Sequence, residues 1–506
     1  MNIFIFFENK NIELNAKFLL ALNLIKDKKV KNIYIGYTKY LLRDIFERFF
    51  FKKQNFSSDI ILYKDLWENT EILIDFFKLL GFKYFSNHEE DTLTFSSKHF
   101  DSLKSNFLSK KYLKNIDSFF TISERTKEIY ISKLGYNGSK ILSSGSLRLD
   151  FLKKVKMLGH PENNEPSKKV LLCLGGAIFN RVILKKYVKI FDIKKYFKIN
   201  SFEGNSLTDK KIFLEYHSLT LKKYIKIIKQ NPNEKFILRI YPHDKEYIRY
   251  YFKLFKNSKN VEISYSEDIF YCFDRASKLI CSPDNVAVEG MLYGLPTRIF
   301  FDESNDMHNF IYKDHIALKL FPENIIRDID YLNLNFKFDD NVINKNYEIL
   351  KEYFGYNLDS VSVISKKILE EIYPNKLNIF QKIKNFFNFK VLKFIFKKVY
   401  FFYNTKKYEN LYYDNFVKNL RFSFFRVFSI LFFYKSKKKF DATNIIYKYL
   451  IGRSFNDHTT DEQLRTYDLI DLNKIELIKN KFQDNTFLNF KTELYHSHIL
   501  LLRKDN

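Results

Sequence analysis

The stretch Cys281-Ser-Pro-Asp-Asn-Val-Ala-Val-Glu289-Gly-Met-Leu-Tyr-Gly294-Leu-Pro296 follows a strand-like run and has the pattern of a turn, a helix start and a helix stop. Ser282, Asp284 and Asn285 place short polar side chains and backbone N–H groups at a helix N-terminus, where the helix dipole favours an anion such as a phosphate. Glu289 falls one turn further along, where it is placed to accept hydrogen bonds from a ribose diol. A polar helix start with a glycine stop is also common for structural reasons alone, so the stretch leaves both interpretations open.

Short apolar strands alternate with helix-like segments along most of the chain. The predicted strands are 2–7, 32–36, 60–63, 82–86, 118–122, 140–143, 170–174, 235–240, 261–264, 278–281 and 297–301. The predicted helices between them are 11–26, 64–80, 96–110, 124–134, 216–230, 245–255 and 269–276, and residues 341–372 also look helical. This β–α repetition predicts an α/β fold with parallel, doubly wound sheets. A polar linker with two prolines, 159–169, divides the chain into two such halves.

The composition is that of a folded chain with several domains. With 506 residues, 46% hydrophobic and 18% aromatic, the chain has room for about two to three domains and is not disordered. Its three cysteines have no Cys-x-x-Cys spacing, which predicts neither a disulfide framework nor a zinc site and fits a reducing compartment. No apolar run reaches the roughly 20 residues of a transmembrane helix, and no signal peptide is expected.

A basic aromatic stretch, residues 376–439, carries about half of the net charge of +26, with sixteen Lys or Arg against two acids. One sector of its helical wheel collects Lys382, Lys390, Lys393 and Lys397, while Phe and Ile residues fall elsewhere. Such a basic amphipathic helix suits an anionic membrane surface. The pattern also fits a solvated basic face that packs its aromatic rings on the rest of the protein. No helix-turn-helix, RRM or zinc-finger pattern accompanies the charge, so nucleic acid is not an expected partner.

Seven short segments occur in one order within residues 1–300. They are Glu8-Asn-Lys-Asn-Ile-Glu13-Leu-Asn-Ala-Lys17-Phe-Leu-Leu-Ala, Ile33-Tyr-Ile-Gly36, His88-Glu89-Glu90-Asp91, Asp117-Ser-Phe-Phe-Thr, Gly145-Ser-Leu-Arg148-Leu-Asp150, Tyr241-Pro242-His243-Asp244 and the 282–296 stretch. Together they resemble the bacterial family of surface carbohydrate biosynthesis proteins, which are GT-B-like glycosyltransferases of lipopolysaccharide and capsule assembly. Three positions depart from the family's pattern, since Ile12 and Tyr241 stand where it has basic residues and Asp91 stands where it has glycine.

The resemblance implies a GT-B-like pair of Rossmann-type domains that face a cleft, with an added helical C-terminal region. We therefore expect an acceptor-side domain over 1–158, a nucleotide-donor domain over 170–340, a crossing helix over 341–375, a membrane-surface segment over 376–440 and an unassigned tail over 441–506. The implied enzyme needs no obligatory cofactor, takes a nucleotide-sugar donor, with a CMP-linked sugar as one option, and works at the inner face of the bacterial cytoplasmic membrane. No Asp-x-Asp pattern lies in a position that suggests a GT-A metal site, so no obligatory metal is expected.

Candidates for contact with the donor follow the predicted strands of the second half. His243 lies on a proline turn after strand 235–240 and is placed to donate to a phosphate, with Arg239 as a nearby charge. Gly175 and Gly176 permit close approach of a phosphate after strand 170–174, and Asn180 follows them. Each has a plainer alternative. His243 is then a polar turn residue, Arg239 pairs with an acid of the fold, and Gly175 and Gly176 form a tight turn.

Candidates for the catalytic carboxylate lie in the first half. A cluster at the end of strand 82–86 consists of Glu89, Glu90 and Asp91. Because like charges repel, at least one of these pKa values should rise toward that of a usable base, although a solvated acidic loop is an equal alternative. Glu8 ends the first strand and is a second candidate. Arg148 and Asp150 are expected either to form a structural pair or to line the cleft.

Three functions remain open from the sequence. The first is a glycosyltransferase that moves a sugar from a nucleotide-sugar donor to a cell-surface polysaccharide or lipid-linked glycan acceptor. The second is a phosphotransferase of the same fold that uses a CDP-polyol donor. The third is a catalytically degenerate GT-B module that acts as a membrane-associated interaction protein, an interpretation that draws on the departures from the family's pattern.

Overall fold

Two separate β-sheets, one from each half of the chain, form the centre of the protein in a computed structural model. The structure describes residues 1–7, 13–38, 59–64, 71–87, 115–158, 169–174, 219–240, 248–265, 268–302, 316–327, 332–371, 470–482, 490–496 and 499–504, together with single positions between 41 and 56 and at 113. Within these residues, no helix is long and apolar enough to cross a membrane.

The first sheet contains six parallel strands from the first 143 residues. They are β1 (Asn2–Phe7), β2 (Asn32–Tyr37), β3 (Ile60–Tyr63), β4 (Lys83–Asn87), β5 (Ser118–Thr121) and β6 (Ile141–Ser143), in the spatial order β2-β1-β3-β4-β5-β6. The helices among them are α1 (Asn15–Leu24), α2 (Glu71–Leu80), α3 (Glu124–Leu134) and α4 (Leu147–Leu158). Central strands such as β1 and β3 are buried along nearly their whole length, which explains why they are continuous apolar runs rather than alternating ones.

The second sheet is also parallel and contains six strands. They are β7 (Lys169–Cys173), β8 (Phe236–Arg239), β9 (Val261–Ser264), β10 (Ala276–Cys281), β11 (Thr297–Phe300) and β12 (Ile325–Ile326). The helical segments are α5 (residues 219–230), α6 (Ile248–Leu254), α7 (Phe270–Asp274), α8 (Asn285–Tyr293) and α9 (Ile316–Leu320). The spatial order β9-β8-β7-β10-β11-β12 becomes 3-2-1-4-5-6 when the strands are counted along the chain, which is the order of dinucleotide-binding Rossmann domains.

Two late helices return the chain to the first domain. They are α10 (Asp340–Phe354) and α11 (Ser360–Glu370), and α11 packs on α1 and α4. The backbone N–H of Val361 at the start of α11 donates to Asp150 at 3.1 Å. Asp150 also lies 3.3 Å from Lys154, so it does not form the predicted pair with Arg148. The carboxylate of Asp150 instead anchors the N-terminus of a helix that returns from the second domain.

The C-terminal tail contributes to the first sheet. It contains α12 (Leu472–Phe482) and a hairpin of β13 (Phe490–His496) and β14 (Ile499–Lys504), and β14 pairs antiparallel with β2. Sequence patterning left this region without an assignment. Residues 376–440, the predicted membrane-surface segment, lie outside the described residues.

The predicted α/β fold, a GT-B-like pair of Rossmann-type domains, is confirmed. The predicted strands occur within two residues of their expected bounds. One helix prediction was too long, because 269–276 overlaps the start of β10: Ala276 pairs with Lys169 across a bulge, so the helix ends at Asp274. The predicted helix 96–110 lies outside the described residues.

Candidate functional site

The second sheet has its topological switch point between β7 and β10. From β7 the chain proceeds to β8 and β9 on one side and then returns to β10, β11 and β12 on the other. Cys173 and Cys281 are register partners at the carboxyl ends of these two strands. The two chain segments leave such a point in opposite directions, and open α/β sheets bind their ligands in the crevice expected outside these strand ends.

The stretch after β10 forms the turn and helix expected from its sequence. The Asp284 carboxylate accepts a hydrogen bond from Val286 N–H at 2.9 Å and caps α8. Gly294 ends α8 in the left-handed conformation with φ of 85°, as its position at the helix stop predicts. Ser282 is buried at the base of the turn, whereas Asn285 is exposed at the first position of the helix.

Asp284 occupies the helix terminus that the sequence assigned to an anion. Removal from water raises the pKa of Asp284 to about 7, against the lowering effect of the Val286 hydrogen bond, and the neighbouring Glu289 carboxylate adds to the rise. Near neutral pH this side chain therefore exists in both protonation states. Above pH 7 the ionised Asp284 carboxylate therefore competes with an anionic ligand for the start of α8. Below pH 7 the cap is neutral and does not repel the ligand.

Glu289 faces the first domain across a buried ionic cluster. Its two oxygens lie 3.3 Å from Nε and 3.3 Å from Nη2 of Arg148. Asp268 binds the other edge of the same guanidinium, at 2.7 Å to Nη1 and 2.6 Å to Nη2. Asn15 of α1 donates to Asp268 at 2.8 Å. The carboxylate that was expected to accept from a ribose thus accepts from an arginine of the opposite domain in this structure.

Two carboxylates share one guanidinium in this cluster, and all three side chains are at least nine-tenths buried. Burial raises the pKa of Glu289, and the neighbouring Asp268 acts in the same direction, against the attraction of Arg148. The two carboxylates raise the pKa of Arg148 further above its ordinary value, against the effect of burial. Arg148 is therefore firmly charged, while Glu289 is the less well compensated carboxylate of the pair.

Arg239 lies on the other side of β7, at the carboxyl end of β8. It is buried, and its Nη1 donates to the Ser264 hydroxyl of β9 at 3.0 Å. Arg239, Ser282, Asn285 and Glu289 are thus the predicted site residues that the structure describes, and they flank the crevice at β7 and β10. The remaining candidates lie outside the described residues; these are Glu8, Glu89, Glu90, Asp91, Gly175, Gly176, Asn180 and His243.

The first sheet has a switch point of its own, between β1 and β3. A second buried ionic cluster lies beside it: Lys17 donates to Glu13 at 2.7 Å and to the carbonyl oxygen of Phe6 at 2.7 Å, and Lys64 lies 3.1 Å from Glu13. The two ammonium groups hold the pKa of Glu13 at about 2, although burial alone would raise it. The i, i+4 spacing of Glu13 and Lys17 in an apolar helix was a sequence signal for this pair.

A cavity of about 420 Å³ opens at the carboxyl ends of β5 and β6, between α3 and the turn 355–358 that precedes α11. Hydroxyl and charged side chains line it, including Ser123, Ser143, Arg125 and Glu352. Its volume lies in the range of small-molecule sites. No part of the sequence pattern had indicated it.

Comparisons with known proteins give distant likenesses. No protein-family model matches the chain. A curated Plasmodium falciparum protein, "MATH and LRR domain-containing protein PFE0570w", is 26% identical over 209 residues; the match covers 40% of this chain, which spans only 2% of that protein's length.

Solved structures with a similar arrangement include three that match about three quarters of this chain. Methanocaldococcus jannaschii UDP-GlcNAc 2-epimerase in complex with UDP-GlcNAc and UDP has a TM-score of 0.42 at 13% identity, over 73% of this chain and 100% of that one. The wall teichoic acid polymerase TagF has a TM-score of 0.40 at 13% identity, over 74% and 88% of the two chains. S. aureus MnaA with UDP has a TM-score of 0.43 at 9% identity, over 74% and 99%. At these identities and scores, the likenesses assign no substrate or reaction to this chain.

Proposed function

We propose that this chain is a GT-B glycosyltransferase that moves a sugar from a nucleotide-sugar donor to a cell-surface polysaccharide or lipid-linked acceptor. The observation that carries the proposal is the convergence of α8 and Glu289 on the crevice between β7 and β10, opposite Arg148 of the first domain. A switch-point crevice with a helix N-terminus and a buried carboxylate suits a ligand that has both phosphate oxygens and a hydroxyl pair.

The roles of the donor-side residues follow from their chemistry. We propose that Glu289 accepts hydrogen bonds from the ribose diol and that Ser282, Asn285 and the 175–180 segment contact the phosphates. Arg239 supplies positive charge from the end of β8, and His243 donates to the phosphate oxygen that gains charge as the glycosidic bond breaks. When the glycosidic bond breaks, its electron pair stays on the nucleotide. Protein groups that donate hydrogen bonds to this leaving group therefore accelerate transfer.

The acceptor binds on the side of the first domain in this proposal. Glu8, Glu89, Glu90 and Asp91 are candidates for the base that removes a proton from the acceptor hydroxyl as it attacks the anomeric carbon. The polar cavity beside α3, with its hydroxyl and charged lining, adds a place where a hydroxyl-rich acceptor is able to bind. The reaction needs no metal in this scheme, because the protein's own groups carry the phosphate charge.

Ligand binding tests this proposal directly. We expect UDP, CDP, GDP or CMP to raise the melting temperature of the purified protein in proportion to ln(1 + [L]/Kd). Turnover with matched nucleotide-sugars and with CDP-glycerol then separates a glycosyltransferase from a CDP-polyol phosphotransferase. Nucleotide binding without turnover of either donor class supports the non-catalytic module, and no stabilisation by any of the four nucleotides contradicts the donor site altogether.

Membrane association is a separate part of the proposal, based on the basic aromatic stretch, residues 376–439. Each Lys or Arg near an anionic surface contributes on the order of 1 kcal/mol, so a group of them holds the enzyme reversibly at a lipid-linked acceptor. Co-sedimentation with anionic liposomes at low and high salt measures this. The matched variant changes Lys382, Lys390, Lys393 and Lys397 to Glu, and equal binding of wild type and variant contradicts the membrane role.

A further inference from the structure

Arg148 uses both edges of its guanidinium on residues of the second domain. The Nη1/Nη2 edge binds Asp268 in a parallel fork at 2.7 and 2.6 Å, and the Nε/Nη2 edge faces both oxygens of Glu289 at 3.3 Å. A planar guanidinium that is fixed along one edge also fixes the direction of its other edge. The orientation of the Glu289 carboxylate is therefore set by a residue that begins α4 in the first domain.

Asp268 is the part of the cluster that holds Arg148. Its side chain is 2% exposed, it accepts the two shorter bonds from Arg148, and it accepts further bonds from Asn15 and from the backbone N–H of Phe270. A ligand in the crevice has almost no access to this side chain. Any effect of Asp268 on ligand binding must therefore pass through the residues that it contacts.

Glu289 keeps acceptor capacity in this arrangement. Each carboxylate oxygen has two lone-pair positions, and Arg148 approaches each oxygen with one N–H at a long distance. The remaining positions can accept hydrogen bonds from the two hydroxyls of a diol while the guanidinium stays in place. The groups that bear charge around Glu289 are Arg148 on α4, Asp268 before α7 and Asp284 at the cap of α8.

We propose that Arg148 is a positioning residue of the donor site: the first domain, through this guanidinium, aims Glu289 at the ribose diol, and Asp268 acts on donor affinity only by holding Arg148. This inference rests on the proposed function, since it concerns the same nucleotide site. It makes that site a composite of both domains. The 2′,3′-diol of the proposed function is the group that a test can remove, because dideoxynucleotides lack it.

The test compares Asp268→Asn with the wild type in calorimetric titrations. The ligands are the nucleotide, among UDP, CDP, GDP and CMP, that binds the wild type most tightly and its 2′,3′-dideoxy counterpart. We expect Kd for the ribonucleotide to rise about tenfold or more, as for the loss of one good hydrogen bond to a charged group, while Kd for the dideoxynucleotide changes less than about twofold. A merely structural effect of the substitution weakens both ligands alike.

A double-mutant cycle with Glu289→Gln isolates the path of the effect. If Asp268 acts through Glu289, the double variant binds the ribonucleotide no more weakly than Glu289→Gln alone. Lys154→Met is the matched control, because Lys154 lies on the same helix but pairs with Asp359 at 2.9 Å and Asp150 at 3.3 Å rather than with the Arg148 cluster. This control should leave Kd unchanged for both ligands. Arg148→Lys, which keeps the charge but lacks the fork, should reproduce the diol-specific loss and replaces Asp268→Asn if that variant does not fold.

Each outcome decides the matter. A diol-specific, non-additive loss supports the inference. Equal losses for the two ligands, or additive effects in the cycle, overturn it while leaving the proposed function intact. A wild type that binds neither CMP nor any of the three nucleoside diphosphates overturns the proposed function, and the inference with it.

Discussion

Gly355 packs against Gly145 at the junction between the crossing segment and the first domain. Gly355 ends α10 with φ of 60°, Gly145 follows β6 with φ of 83°, and a Cβ atom on Gly355 would lie 3.0 Å from the Cα atom of Gly145. The same Cβ would also overlap the carbonyl oxygen of Ile122. Both backbones need the left-handed conformation, and neither position has space for a side chain, so glycine at these two sites permits the contact.

We expect Gly355→Ala to lower the free energy of unfolding by more than the roughly 1–2 kcal/mol that a left-handed L-residue costs, because the backbone must also move away from Ile122 and Gly145. Urea unfolding at neutral pH measures this. Gly135→Ala is the control, since Gly135 ends α3 with a similar φ of 62°. Equal losses at the two positions would show that the contact with Gly145 contributes nothing.

Glu289→Ala should weaken nucleotide binding and also reduce stability. Glu289 is 8% exposed and faces Arg148, so its truncation also removes buried contacts. Arg148 keeps its shorter bonds to Asp268, so we expect a loss of about 1–3 kcal/mol rather than the larger cost of an isolated buried charge.

Glu289→Gln serves as the comparison for this prediction, because it keeps the volume and one acceptor oxygen. Thermal unfolding reports the stability of both variants, and calorimetric titration with the best-binding nucleotide reports affinity. A folded Glu289→Ala protein with wild-type affinity removes Glu289 from the donor site.

The sequence was sufficient for most elements because their signals are local. Runs such as Ile3 to Phe7 identify buried strands, and a cap such as Asp284 with a glycine stop such as Gly294 delimits a helix. The hairpin of β13 and β14 lacked such a signal. Its place in the fold depends on the pairing of β14 with β2, which begins at Asn32, far away in the sequence. Apolar periodicity describes one element and does not identify its distant partner.

The ionic cluster of Arg148, Asp268 and Glu289 could not be predicted for the same reason. Asp268 is separated from Arg148 by 120 residues and from Asn15 by 253 residues. An acid before a short helix has many plain interpretations, and nothing near it in the sequence indicates a buried guanidinium. The sequence leaves Arg148 as a partner of Asp150 or a cleft residue, whereas the packing of α4 on α8 brings it against Asp268 and Glu289 of the second domain.

Glu13 should make the protein sensitive to acid. Its pKa is about 2 in the folded state and 4.5 ordinarily, so its contribution is present above pH 4.5 and is lost as the pH falls toward 2. The shift corresponds to roughly 3 kcal/mol at neutral pH. We expect Glu13→Gln to lower the free energy of unfolding by about that amount or more at pH 7, because Lys17 and Lys64 lose their shared carboxylate.

Urea unfolding between pH 7 and pH 2.5 measures this difference, which should shrink below pH 4.5. Glu124→Gln is the control, because Glu124 pairs with Lys127 in an exposed position and should change stability by less than about 1 kcal/mol. A pH-independent difference for Glu13→Gln contradicts the assigned pKa.

Asp284 should act in the opposite direction. Its folded pKa of about 7 lies above the ordinary value of 3.8, so the folded state binds more protons than the unfolded state between these values. Stability therefore falls as the pH rises from about 4 to about 7 and changes little from this group above that. Asp284→Asn keeps a good N-cap without the charge, and we expect it to exceed the wild type in stability at pH 8 but not at pH 4. If the variant is instead less stable at pH 8, the dipole of α8 stabilises the ionised carboxylate more than burial opposes it.

Leu494 and Leu500 provide a matched pair in the C-terminal hairpin, because they are register partners on β13 and β14 but differ in burial. Leu500 is 0% exposed in the core of the first sheet, whereas Leu494 on the outer strand is 37% exposed. We expect Leu500→Ala to cost about 2–5 kcal/mol of the free energy of unfolding through lost burial and a residual cavity, and Leu494→Ala to cost less than about 1 kcal/mol. Urea unfolding followed by circular dichroism checks both values.

Because β14 covers the edge of β2, Leu500→Ala should also raise hydrogen exchange at the β2 amides more than Leu494→Ala does. Similar small effects from both substitutions would mean that the tail does not complete the first sheet in solution.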